Sequence, residues 1–159
     1  MKRHTISELA GQCADRLAIE ELNAWFCHCL DTQQYDALVE VLAPDVHYTS
    51  GTNVLVGVDA VITQFKARAM QTEPRTTRHL QSGLRLQFKA NENCAHGQSV
   101  AVNYAAHGTA PADQLMPFMV ADFTDTYQLR EDGQWYIKTR IITPILRNPG
   151  LAPRPREAS

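Results

Sequence analysis

The chain lacks most of the short signatures that announce a chemistry. It has no Cys-x-x-Cys pair and no His-Glu-x-x-His, so the ordinary zinc-ligand spacings are missing. It has no glycine-rich loop to cradle a phosphate and nothing like a nucleophile elbow. There is no basic excess: Lys and Arg total 15 against 17 Asp and Glu, which argues against a nucleic-acid partner. No apolar run approaches the roughly 20 residues that span a bilayer, so no membrane is expected. The start, MKRHTISEL, is basic without the apolar stretch of a secretory leader. The four cysteines, Cys13, Cys27, Cys29 and Cys94, read as free thiols, and the expected compartment is cytoplasmic. Cys27 and Cys29 flank His28, but positions i and i+2 of a helix point about 200° apart, so no metal is expected there.

What is present is a chain of 159 residues, long enough for one domain with its own core. Thr5 and Glu8 fit a capping box for a helix beginning near Ile6. Ala14–Leu30 is a stronger helix, with Ala18, Ile19, Leu22, Trp25, Phe26 and Cys29 on one arc and Asp15, Arg16, Glu20 and Asn23 away from it. Asp31 or Thr32 can cap a second helix over Gln34–Leu42, which Pro44 stops. A short strand over Asp45–Ser50, a turn at Gly51–Asn53 and a helix over Val58–Met70 follow. From Arg75 the period becomes two, with strands at Arg75–Ala90, Ser99–Gly108, Phe118–Leu129 and Gln134–Leu146. Asn91–Gly97 reads as a turn, and on the last strand Trp135, Ile137 and Ile141 share a face. Residues 1–147 form a single domain, and the proline-rich segment 148–159 is expected to be a mobile tail or an arm over a neighbour. Helices first and long antiparallel strands second make an α+β fold, a strongly curved sheet wrapped over helices into a cone whose mouth is a natural pocket.

The stretch around which this pattern turns is TTRHLQSGLRL, Thr76–Leu86. Thr77, His79 and Gln81 share one side of a strand, but Leu84, Leu86 and Phe88 have the opposite parity. An extra residue near Ser82–Gly83, a β-bulge, brings both sets onto one face and His79 into an apolar cavity.

Three stretches, AIEELNAWFCHCLDTQQYDALVEVLAPDVHY, TRHLQSGLRL and FTDTYQLREDGQWYIKTRI, resemble the SnoaL-like branch of the nuclear transport factor 2-like superfamily, whose fold is a cone-shaped, cystatin-like α+β barrel. Scytalone dehydratase, bile acid 7α-dehydratase and hexachlorocyclohexane dehydrochlorinase in that superfamily use an Asp–His pair. The resemblance places the pair at Asp31 and His79, with Tyr48 and Arg140 at positions that hold a tyrosine and an arginine in some members. A tyrosine late in the first helix of the dehydratases falls near Phe26 here, which removes one phenol. The implied activity is a cofactor-independent elimination or isomerisation of a small hydrophobic or cyclic compound, with no substrate singled out among polyketides, steroids and halogenated rings. The implied assembly is a homodimer or homotrimer, through the outer face of the sheet. The alternative is a non-catalytic binding or assembly module, since TRH also resembles the small subunit of ring-hydroxylating dioxygenases.

Each candidate has a plainer reading beside the functional one. On an ideal helix Asp31 falls beside Glu20 and Ala24, opposite the apolar arc; facing a pocket then requires the helix to end near Leu30, and otherwise Asp31 is a cap. Arg140 either binds a substrate oxygen or forms a surface ion pair with Asp122 or Asp125. Tyr48 either donates to a substrate carbonyl or packs in the core with its hydroxyl at the rim. Asn103 and Asp122 carry little weight as polar anchors, and His4, His47, His96 and His107 read as solvated. Trp25, Phe26, Leu55, Phe65, Met116, Phe118, Met119 and Phe123 are the expected apolar lining, or else simply core.

Overall fold

The computed structural model describes residues 5–89 and 92–156, without the side chains of residues 6, 8 and 9. The Glu8 half of the expected capping pair and His4 therefore lie outside the described residues. Two helices open the chain, α1 (Ile6–Gly11) and α2 (Cys13–Asp31), followed by a 3-10 turn at Tyr35–Glu40. Then come β1 (Leu42–Ser50), β2 (Asn53–Val56), α3 (Val58–Gln71), β3 (Arg75–Lys89), β4 (Cys94–His107), β5 (Pro117–Leu129) and β6 (Trp135–Arg147). The strands form one six-stranded sheet in the order β2-β1-β6-β5-β4-β3. β1 runs parallel to β6, and every other neighbouring pair is antiparallel. This is the expected α+β cone, with α2 and α3 packed on the inner face of the sheet around one core. No helix among the described residues is long and apolar enough to cross a membrane.

The early part of the chain departs from expectation in three places. In place of a helix over Gln34–Leu42 there is a 3-10 turn at Tyr35–Glu40, with Leu42 already in β1; Leu38, Val41 and Leu42 are buried as expected, and neither Asp31 nor Thr32 caps the turn. Pro44 does not stop a helix but sits inside β1, where the register with β6 slips between Leu42 and His47, so its missing N–H costs no ladder bond. β2 is a further strand of only four residues, with Val54 and Val56 exposed, too short to show a period of two in the sequence. Farther on, Cys94–Gly97 belongs to β4 and not to a turn.

Bulges give the sheet its curvature, because each adds twist and bends its strand. In β3 the register slips between Ser82 and Arg85, with Gly83 at φ +66°, and Leu84, Leu86 and Phe88 join Thr77, His79 and Gln81 on the inner face. That is the bulge the parity demanded. β6 carries two more, at Lys138 and at Ile145, which its pairing with β5 skips. The first reverses the parity, so Arg140 and Ile142 point inward while Ile141, expected inside, is exposed.

Because the sheet curls round α2, that helix is covered on more than one side. Ile19, Leu22, Phe26 and Cys29 are buried as expected, but so are Asn23 and Cys27, while Ala18 is exposed. The segment after β6, expected to be mobile, is fastened to its own chain. Leu151 is buried, Pro155 bridges to Thr72, and Arg156 donates from its backbone to the Gln71 carbonyl and from its side chain to the Thr72 carbonyl. The final three residues lie outside the described part.

Candidate functional site

β3 is an edge strand, and its backbone donors on the open side have no strand to pair with. The C-terminal end of α2 lies across that edge. α2 runs through Asp31 and does not end before it, so the condition set by the helical wheel was not needed. The curl of the sheet brings β3 to the side of the helix opposite its apolar arc. One Asp31 oxygen, Oδ2, accepts from the backbone N–H of His79 at 2.9 Å. The other, Oδ1, accepts from the Thr77 hydroxyl at 2.9 Å and lies 2.7 Å from His79 Nδ1. The pair is largely withdrawn from water, with the two side chains 16% and 10% exposed for His79 and Asp31. Burial alone would raise the Asp31 carboxyl. The hydrogen bonds from the His79 ring and backbone, the imidazole charge and the Thr77 hydroxyl outweigh it and hold the carboxyl below its ordinary range.

With Nδ1 turned to Asp31, Nε2 of His79 has no hydrogen-bond partner within the described chain. His79 lines a cavity of about 660 Å³ inside the cone, whose walls include Phe26, Tyr48, Phe65, Met119 and Phe123. Phe118 also lines it, whereas Leu55, Met116 and Trp25 do not. Trp25 instead stacks its ring on His28, with centroids 4.9 Å apart, donates from Nε1–H to Glu40, and packs half-buried against the core. A second hollow of about 680 Å³ lies on the other flank of the dyad, an open groove between α2 and β3 bordered by exposed Arg78 and Leu80. The aromatic walls belong to the inner cavity, and that is the space with the character of a ligand site.

Tyr48 is buried, 5.9 Å edge-on to Phe65, and burial pushes its phenol up to about 12, so at neutral pH it is a donor. Asn103 stands directly opposite His79 on β4 and lines the same cavity. Its Oδ1 is buried without a partner, a cost that a bound ligand can relieve. The sequence signal for Asn103 is its inward parity with Ala101 and Ala105. Asp122 by contrast is exposed. Cys27 also borders the cavity, but burial raises its thiol to about 11, so it is no thiolate nucleophile.

Arg140 forms the expected ion pair with Asp125, but as a buried pair and not on the surface, and it does not line the cavity. It is fully buried, paired with buried Asp125 through Nε at 2.9 Å and Nη2 at 2.8 Å, and it also donates to Asn23. Its guanidinium lies 4.4 Å from the Phe26 ring and 4.8 Å from that of Phe123, behind the cavity wall those rings make. Tyr127 completes this buried cluster by donating to Asp125 at 2.7 Å. His107 is likewise not solvated: both ring nitrogens are buried, with Nδ1 3.6 Å from Glu73.

Residues 11–141 match the profile of the SnoaL-like domain. No curated protein matches the sequence. Among solved structures, a candidate scytalone dehydratase from Novosphingobium aromaticivorans is 18% identical with a TM-score of 0.72, over 86% of this chain and 88% of that one. LinA is 21% identical with a TM-score of 0.70, over 91% and 97%. A protein from Catenulispora acidiphila, solved in complex with S-DNPA, is 16% identical with a TM-score of 0.72, over 84% and 95%.

Proposed function

The chain belongs to the SnoaL-like domain family, and on that premise we propose that it is a cofactor-independent lyase or isomerase that removes a proton from a small, ring-sized carbon acid. The observation that carries this reading is the Asp31–His79 contact at 2.7 Å beside an aromatic cavity of about 660 Å³. His79 Nε2 takes the proton, and the C–H electron pair moves toward an adjacent carbonyl. Asp31 holds Nδ1 as the donor and stabilises the imidazolium that forms. Tyr48 and Asn103 line the same cavity, and in this reading the Tyr48 hydroxyl and the Asn103 amide donate to the oxygen where negative charge grows. The electron pair then expels a leaving group from the neighbouring carbon, which departs with its own electrons and recovers the proton from His79. Return of the proton to a different carbon gives isomerisation instead. The Catenulispora acidiphila neighbour, solved in complex with S-DNPA, supports small-molecule binding on this fold.

The test is deuterium wash-in from D₂O, with product analysis by mass spectrometry, over a panel of cyclic ketones and β-substituted ketones. Exchange or loss of the leaving group in the parent, absent in His79→Ala, is the expected result. Equal turnover in His79→Ala overturns the base assignment. Ligand binding without turnover anywhere in the panel favours a passive binding module.

The same reading includes self-association. Leu80, Val102, Val120 and Leu146 stand side by side on four adjacent strands of the outer sheet face. Leu80 and Leu146 are each more than half exposed. A dimer or trimer burying this row is expected by light scattering, and Val102→Glu should shift the mass to that of a single chain.

A further inference from the structure

The inner cavity has two chemically different ends. His79 and Asn103 lie on its inner wall. Its mouth, where β3 and β5 begin and α3 and β6 end, is lined by Arg68, Arg75, Arg147 and Arg156. Overall composition does not account for this concentration, because the chain carries a formal net charge of −2. Among the described residues none of the four arginines makes a salt bridge with a carboxylate. Among the described lining residues the one carboxylate, that of Glu73, lies 3.6 Å from His107.

The arginines are held in place by the walls. Arg68 lies 4.9 Å from the Phe65 ring, and Arg75 and Arg147 lie 5.1 and 5.7 Å from the Phe118 ring. Arg156 is tied to the backbone carbonyl of Thr72. Arg147 reaches the mouth because the second β6 bulge restores the parity that the first reversed. Arg75 has a buried Nε with no acceptor, and its burial together with the nearby Arg68 charge disfavours its own charged form. Among the described residues this cation cluster has no carboxylate paired with it.

We propose that the mouth of the cavity binds the anionic group, a carboxylate or a phosphate, of an amphipathic ligand whose apolar body fills the chamber toward His79. β3 sets the scale. Arg75, Thr77 and His79 share one face of that strand, so the Cα atoms of Arg75 and His79 stand about 13 Å apart along it. The inference rests on the reading of His79 as base for its catalytic meaning, but binding at the mouth does not depend on proton transfer.

The experiment is a titration of three probes with one ring system at low salt: 2-naphthoate, 2-naphthyl phosphate and the neutral 2-naphthamide. At least one anion should bind about tenfold or more tightly than the amide. High salt should erase that preference. Arg68→Gln with Arg147→Gln should bring the anion down to the affinity of the amide and leave the amide unchanged. Tighter binding of the phosphate identifies a phosphoester ligand, and tighter binding of the naphthoate a carboxylic acid. Anions that bind no tighter than the amide, or a preference that survives both the double substitution and high salt, overturn the proposal. His79→Gln should keep the anion preference, so failure of the base assignment and failure of the anion site are separate results.

Discussion

The Asp31 carboxylate grips His79 twice, by the backbone N–H at 2.9 Å and by ring Nδ1 at 2.7 Å, across the open edge of the sheet. One acidic side chain thereby terminates a strand edge and sets the orientation of an imidazole. The same contact that stabilises the fold aims Nε2.

Asp31→Asn should keep the fold and lose the chemistry. The amide can still accept from the His79 backbone but no longer favours an Nδ1 donor or balances an imidazolium. Turnover should fall roughly 10²-fold or more. A downfield Nδ1 proton in the NMR spectrum of the parent should vanish in the variant. Full activity in Asp31→Asn would show that the contact is only structural.

Acid should release this contact. The folded Asp31 carboxyl lies below its unfolded value, which is about 3.9. Its contribution to stability is therefore fully present above about pH 4 and is lost as pH falls through the lower, folded value. Melting temperatures of the parent and Asp31→Asn, followed from neutral pH downward, should differ most above pH 4 and converge below it.

Tyr48→Phe isolates one hydroxyl. The ring contacts with Phe65 and Phe26 remain, so stability should change little. Loss of a hydrogen bond made to the reacting oxygen should lower kcat about tenfold, with KM nearly constant. An equal loss of stability and no loss of kcat would return Tyr48 to the core.

The buried ion pair predicts an asymmetry. Arg140→Met alone leaves Asp125 charged and buried and should cost roughly 3–5 kcal/mol in chemical denaturation. Arg140→Met with Asp125→Leu removes both charges and should cost clearly less. Additive losses would mean that the two residues contribute independently.

Two glycines in adjoining strands should respond differently to alanine. At Gly83 a new Cβ meets nothing within 4 Å, so Gly83→Ala should cost only the positive φ, about 1–2 kcal/mol. At Gly97 the new Cβ would stand 2.6 Å from the Tyr127 ring. Gly97→Ala should cost as much or more, roughly 1–3 kcal/mol, and disturb the Tyr127–Asp125 hydrogen bond. Thermal denaturation of both variants, with the Tyr127 environment read by near-UV circular dichroism, checks this.

What the sequence determined by itself is whatever local periodicity carries. The arc of Ile19, Leu22, Phe26 and Cys29 predicted a helix and its buried side, because helical spacing alone aligns those residues. The parity break between Gln81 and Leu84 predicted a bulge, because both sets needed the same core. Other features depended on partners distant in the chain. Nothing between Trp135 and Ile142 says that Lys138 is skipped; its pairing with β5 decides that, and with it the burial of Arg140. Asn23 and Asp31 looked misplaced on a helical wheel, since a wheel assumes one covered side. A sheet that curls around the helix covers two, and that curvature, built by bulges in several strands, is a property of the assembled fold. The arginine cluster at the cavity mouth has the same origin, since its four members come from α3, β3, β6 and the segment beyond and meet only when the cone closes.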